Sequence, residues 1–532
     1  MGRGNKGNRK SGKKLRTVGS HHDRRHSRNE EESEEQGGRQ DQYYTNNWVI
    51  DIMTSLEEGH TYDAGRSWTI YRVPSNLCEV QKNAFLPKII SVGPFHYRER
   101  EERLQVMEEH KMRFLMRLLG GKLERRKSDG DMSATTKGER ESDDRDCLED
   151  NIEGRMAKPV LLDDLVEAMQ MLEEKTRACY SESFDDIGGD DFVEMMVVDG
   201  CFMVELLRLY YDSVHTESPG VANVDDPIFT TPWMLRTLQR DLLMLENQLP
   251  FFVLEKLFEL INNNKSIDRQ AVSLEVLAVT FFDPLLPRKN ADSKLNTKKP
   301  YAHLLDVFRS TFLKSVREKV DKQGMAQVKM QSHPDGSVGA LVRERQLIHS
   351  VSELREAGVQ FKKRKGQDLL DINFAHRTLQ IPPLSMDDNT VPLFLNFVAY
   401  EQCHDHAKPY FTNYFMFWDS LVNSPGDIQI LHKHGVINHV LGSNGDVANL
   451  LNKLCREIVY DLDQCYLYNE IKEVNDYCKP YDESKYRVWW RNLIRERFSS
   501  PWTCLSLFAA IILLLLTLLQ TLYTLYPYYR PH

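Results

Sequence analysis

No Cys-x-x-Cys pair occurs in this 532-residue chain, and its nine cysteines, from Cys78 to Cys504, are odd in number and irregularly spaced. That excludes a zinc module built on paired thiolates and argues against a disulfide framework, so reduced thiols are expected. Residues 1–40 hold no apolar run, which excludes a secretory signal there. Lys6 stands where a myristoylation signal on Gly2 needs Ser or Thr, so that anchor is excluded too. The chain has no His-Glu-x-x-His, no P-loop, no Gly-x-Ser-x-Gly and no Gly-x-Gly-x-x-Gly after a strand. Motif-borne zinc, nucleotide and serine-hydrolase chemistry therefore finds no support. A triad assembled from distant residues stays open, because geometry and not chain order defines it. Positive charge is not in excess either. The 69 Lys and Arg against 78 Asp and Glu give a net charge of −9, which excludes bulk attraction to nucleic acid.

The most consequential absence is of charge between Arg497 and Arg530. Residues 502–526 read WTCLSLFAAIILLLLTLLQTLYTLY, with Trp502 at one end and Tyr526 at the other. Twenty-five residues at about 1.5 Å each give about 37 Å of helix, enough to cross a hydrocarbon core of about 30 Å with some tilt. Trp502 and the tyrosines Tyr523, Tyr526, Tyr528 and Tyr529 suit the two interfaces. The polar residues inside the run are uncharged and can bond back to the helix or face a partner. Lys485, Arg487, Arg491, Arg495 and Arg497 precede the run, and only Arg530 and His532 follow it. The positive-inside bias therefore predicts a single-pass anchor with the large N-terminal part in the cytosol and residues 527–532 across the plasma membrane or an endomembrane. The anchor is rich in Leu and lacks a Gly-x-x-x-Gly pair, which argues against a dedicated tight dimer seam within the bilayer.

Ahead of the anchor, residues 1–46 form a charged arm expected to be disordered. Lys and Arg dominate up to Arg28 with Asp23 as the one acid, and Glu30, Glu31, Glu32, Glu34 and Glu35 follow. A helical cytosolic domain is expected over 47–495, interrupted by a disordered insertion at about 121–158 that is dense in charge. Within it a short helix is expected at 47–56. A buried strand is expected through Ile89, Ile90 and Val92, closed by Gly93-Pro94. Helical spacing puts Leu104, Met107, Lys111, Leu115 and Leu118 near one face, and Leu161, Leu162, Leu165, Met169 and Leu172 on another. Residues 191–211 read as a buried helix around Asp199 and Glu205. Residues 234–257 read as one helix that Pro250 kinks or ends, with Glu246, Asn247 and Gln248 placed to satisfy freed carbonyls. Residues 262–299 look loop-rich, 301–320 helical and 348–357 a short helix. From 361 to 390 apolar and polar residues alternate, which predicts two or three strands before a helix from Val391. Helices are further expected at 414–422, at 447–460 behind a Ser443–Asp446 capping box, and at 486–498.

Seven blocks carry a family resemblance. In order they are RVPSNL (72–77), FLPKIISVGPFHY (85–97), MEEHKMRFLMRLL (107–119), VVDGCFMVELLR (197–208), DLLMLENQLPFFVLEKLF (241–258), VPLFLNFVAYEQC (391–403) and GVINHVLGSNGDVANLLNKLC (435–455). As an ordered set with the terminal apolar run they resemble the plant family called Domain of Unknown Function 247. That resemblance implies a plant protein with a C-terminal membrane helix and no established enzymatic activity. Some grass members of the family are associated with self-incompatibility.

The histidines offer the remaining chemistry. His432, His434 and His439 lie in HKHGVINH, and Cys403, His404 and His406 in CHDH. Imidazoles at short spacing can hold zinc, but His-x-His does not put both rings on one helical face, so a metal site is not expected. No catalytic, cofactor-binding or metal-ligating residue is assigned, and no cofactor. The expectation is a mainly α fold with a small β element (α+β) and one C-terminal transmembrane helix. It acts as a tethered protein-interaction or signalling module, with the lipid bilayer and an unidentified protein as partners and no nucleic acid. The alternative is a membrane-held enzyme of hydrolase type.

Overall fold

The computed structural model describes residues 68–79, 81–100, 104–120, 161–215, 226–263, 272–286, 300–322, 347–365, 368–456, 458–460, 465–482 and 501–529. All of them belong to one unit, Arg66–His532. The N-terminal arm, the helix expected at 47–56, the insertion at 121–158 and the helix expected at 486–498 lie outside the described residues.

The first half is helical. In chain order α1 is Gln105–Leu118, α2 Leu162–Arg177, α3 Gly189–His215, α4 Pro232–Asp241, α5 Phe251–Asn263 and α6 Leu274–Phe282. A helix that is apolar on every side has to be enclosed by protein. α3 is such a helix over most of its length, buried continuously from Met195 to Leu207, and α1, α2, α5 and α6 all pack on it. Lys111 and Phe114 of α1 meet Asp199 and Phe202 of α3. Both steps are three residues, so the two helices run parallel. Gly200 lets α5 come close: a Cβ there would lie 2.3 Å from Leu257 Cδ1.

The second half adds α7 Leu304–Ser310, α8 Lys314–Lys322 and α9 Val351–Glu356, followed by four strands. β1 is Gln360–Lys363, β2 Asn373–Ala375, β3 Thr378–Ile381 and β4 Leu384–Met386. Then come α10 Thr390–Cys403, α11 Tyr410–Leu421, α12 Pro425–Lys433, β5 Ile437–His439, α13 Asn444–Leu454, α14 Tyr468–Asp482 and α15 Pro501–Tyr529. One sheet has the order β1-β3-β2, with β1 parallel and β2 antiparallel to β3. β2 and β3 are joined by His376 and Arg377, both at positive φ (51° and 63°), as a two-residue primed hairpin turn requires. β4 pairs in parallel with β5. Capping boxes start α9 (Ser350, Glu353), α12 (Ser424, Asp427) and α13 (Ser443, Asp446). The fold is mainly α with a small β element, as the sequence predicts.

Several local expectations are corrected. Residues 88–92 are not a strand; they run without a backbone partner, and the N–H groups of Lys88, Ile89, Ile90 and Val92 go to the side chains of Asp241 and Asn247. Residues 234–257 are not one helix broken at Pro250. α4 ends at Asp241 and α5 starts at Phe251, with a nonhelical link between them. Residues 301–320 split into α7 and α8 at a turn. The loop-rich stretch 262–299 contains α6. The helix expected at 447–460 starts earlier and is shorter, as α13 ends at Leu454. α12, β5 and α14 were not anticipated.

Candidate functional site

The polar interior gathers around residues 68–79 and 81–100, where extended stretches alternate with short helical turns. Apart from the bridge between Ile70 and Tyr180, the extended stretches have backbone donors and acceptors to satisfy and no strand paired with them. Side chains from α3 and from the link 242–250 take that role. Asp199, fully buried in α3, accepts the Gly93 N–H at 2.9 Å. Its carboxylate also meets Arg100 Nη2 at 2.5 Å and Lys111 Nζ at 2.7 Å. Arg100 returns a bond to the Gly93 carbonyl, and Lys111 one to the Ser91 carbonyl at 2.6 Å. Glu108 completes the charge balance, 2.6 Å from Lys111. Burial would raise the Asp199 carboxyl, but Arg100 and Lys111 outweigh it and hold it below the usual carboxylate range. Gly93 itself sits at φ +69°, and a Cβ there would be 2.9 Å from the Gln248 carbonyl oxygen, so only glycine fits without strain.

The link 242–250 works with the end of α4. Asp241 Oδ2 accepts the N–H groups of Lys88 (2.7 Å) and Ile89 (2.8 Å), and Oδ1 pairs with Arg240 at 2.9 Å. Burial nevertheless pushes the Asp241 carboxyl up to about 6. Glu246 accepts the Val73 N–H at 2.8 Å and meets Arg72 at 2.7 Å. Asn247 accepts the Val92 N–H at 2.6 Å and donates to the carbonyls of Ile90 and Asp241. Gln248 donates to the carbonyls of Leu242, Met244 and Asn247, and accepts the Leu305 N–H. Glu246, Asn247 and Gln248 thus bond to backbone well beyond the turn before Pro250.

A second buried pair fastens the other half. Arg309 of α7 meets Glu401 of α10 at 2.6 Å. Glu401 also accepts the N–H groups of Phe411 (3.0 Å) and Thr412 (2.8 Å) at the start of α11, where a helix favours an anion.

Trp68, Tyr71, His303, Tyr400 and His404 meet where this interior reaches the surface. The Tyr71 hydroxyl lies 3.0 Å from His404 Nδ1 and donates to the Trp68 carbonyl at 2.6 Å. His404 stacks on Tyr400 with ring centroids 5.2 Å apart. His303 Nδ1 accepts the Asp306 N–H, so the proton sits on Nε2 and is donated to the Thr69 carbonyl. Burial drives His303 down to about 4 and Tyr71 up to about 12, so both are neutral near pH 7. Because the folded value of His303 lies below its unfolded one, stability is full above pH 6.5 and lost as pH falls through 4. The expected loss is about 3 kcal/mol. His303→Asn keeps the capping acceptor and removes the titration. Urea denaturation of the full chain at pH 7 and pH 4 should show a smaller acid-induced fall in the variant; an equal fall would place the sensitivity elsewhere.

Among the described residues the geometry offers little to a nucleophile. His96 meets Glu99, His432 the Ile437 carbonyl, His434 the Ile430 carbonyl and His439 Asn444; none of these rings holds a Ser or Cys. Cys78, Cys179, Cys201, Cys403, Cys455 and Cys465 are free thiols. Burial pushes Cys201 up to about 12 and Cys403 up to about 11, away from thiolate chemistry. His432 and His439 approach with ring centroids 5.8 Å apart, as do His404 and His406. Among the described residues no three His, Cys, Asp or Glu side chains group as metal ligands.

What this interior defines is a helical domain whose extended N-terminal strip is clamped by buried charges, followed by an apolar helix long enough to cross a membrane. The chain belongs to the family DUF247, described as plant protein of unknown function, whose model matches residues 70–516. It is similar to UPF0481 protein At3g47200 of Arabidopsis thaliana, 32% identical over 456 residues, covering 84% of each chain. It is also similar to putative UPF0481 protein At3g02645 of the same plant, 23% identical over 553 residues, covering 90% of this chain and 94% of the relative. No solved structure matches it.

Proposed function

We propose that this protein is a membrane-tethered interaction module, whose cytosolic domain binds another protein and whose last helix holds it at the bilayer. The observation that carries this reading is α15. Its stretch Leu505–Thr524 is wholly unburied although it is almost entirely apolar, which is costly in water and favourable in lipid. At about 1.5 Å per residue the 29 residues of α15 reach about 43 Å. The basic residues ahead of it support a cytosolic N-terminal domain, by the positive-inside bias. The interaction role draws support from the interior, where charged and polar groups are spent on fastening one segment to its neighbours. A recognition process of the self-incompatibility kind is a setting that suits such a module. Full-length protein in sealed membranes should resist carbonate extraction, and a tag after His532 should be protected from added protease. Digestion of that tag with survival of the N-terminal domain would invert the topology.

A further inference from the structure

We propose that α15 pairs with α15 of a second copy of this chain, along a polar heptad seam centred on Thr517 and Gln520. The proposal rests on the membrane-spanning reading above. Within Pro501–Tyr529, residues Ser506, Ala510, Leu513, Thr517, Gln520 and Thr524 recur at steps of four and three. Those are the two core positions of a heptad, which fall on one face of a left-handed crossing. From Leu505 to Tyr523 every residue off this face, apart from Ala509 and Thr521, is large and apolar or aromatic. The small and polar residues therefore form one stripe on a helix otherwise suited to lipid.

The threonines alone would not demand a partner. Thr517 donates to the Leu513 and Leu514 carbonyls, and Thr524 to the Gln520 carbonyl. Gln520 differs: its carboxamide makes no hydrogen bond among the described residues. It lies six residues from the midpoint of 502–526, hence about 9 Å from the centre and inside a hydrocarbon core of about 30 Å. A primary amide left unpaired there is costly. A carboxamide carries donor and acceptor together, so two copies satisfy each other. Each chain has one such anchor and one orientation, so two Gln520 side chains meet at the same depth. The stripe bears no charge, so it has no ion pair to offer a helix carrying Asp or Lys. The missing Gly-x-x-x-Gly excludes a close glycine-lined crossing and leaves this wider one open.

The test is resonance energy transfer between co-expressed full-length copies, donor or acceptor on the N-terminus, in carbonate-washed membranes. Transfer should saturate with acceptor. Gln520→Leu should weaken apparent self-association by about five- to thirtyfold, the effect of one interhelical polar contact. Gln520→Asn should retain most of it, and Leu515→Ala, on the opposite face, should leave it unchanged. Full transfer in Gln520→Leu, or none between carbonate-resistant wild-type copies, overturns the seam while leaving the tether standing. A chain released by carbonate overturns both. A heterologous helix captured through Gln520 without copy-to-copy transfer overturns the choice of a second copy.

Discussion

Asp199→Ala is expected to destabilise the domain by about 3–5 kcal/mol, the range for removing one partner of a buried ion pair. The side chain is fully buried and neutralises two buried cations, Arg100 and Lys111. Neither cation has another fully buried acid to turn to. Glu108 is partly exposed, and its 3.7 Å approach to Arg100 is long. The Gly93 N–H would lose its acceptor as well. Against a typical total stability of about 5–15 kcal/mol the loss is a large fraction, so much of the protein should be unfolded or degraded. Asp199→Asn keeps the volume and an acceptor but not the charge, and should lie close to Ala. The control is Arg98→Ala, whose 2.6 Å pair with Asp186 is exposed and should contribute about 1 kcal/mol or less. Denaturation midpoints of the full chain in detergent decide this. An Asp199→Ala midpoint no lower than that of Arg98→Ala would show that the cluster is not the clamp it is taken for.

The clamp was half visible in the sequence. Asp199 stands alone in an apolar run, and Lys111 occupies a place on the apolar face of its helix. A charge in either position needs a partner, and the two are each other's. What the sequence could not show is that Arg100, from an unpatterned loop, completes the group. Pairing between residues about a hundred positions apart leaves no local periodicity to read. The same limit explains the strand misread at residues 89–92. Its apolar residues have the composition of a strand, but Asp241 and Asn247 substitute for the neighbouring strand, and side-chain partners of backbone have no signature in spacing. Pro250 is a helix breaker, but the helix ends earlier, at Asp241, where the link's polar side chains hold the backbone in other bonds. α12 is written in the sequence only at its start, where Ser424-Pro425 and Asp427 spell a capping box. The helix Pro501–Tyr529 was legible throughout, since an uncharged run of that length needs no tertiary information.

The second large effect concerns that helix. Confinement to a surface raises the effective concentration of a partner on the same membrane, so weak contacts suffice there and fail in solution. Linking of this kind is worth about 10²–10⁴ in apparent affinity. Removing residues 501–532 should therefore cost capture of a membrane-resident partner by about that factor, while the clamped domain stays folded. Self-pairing through Gln520 and partner capture are separable. An unrelated apolar helix in place of residues 502–526 should lose the first and keep the second.

The measurement that meets the central claim most directly is proximity labelling in plant cells from a tag on the N-terminal arm, run on three forms. They are the full chain, the chain without residues 501–532, and the chain whose residues 502–526 are replaced by an unrelated apolar helix with the same flanking arginines and membrane destination. The account predicts one partner set for the full chain, its loss on deletion and its return with the replacement helix. A replacement chain that is folded and correctly located yet fails to label that set would contradict it, and would make the helix sequence itself the recognition element.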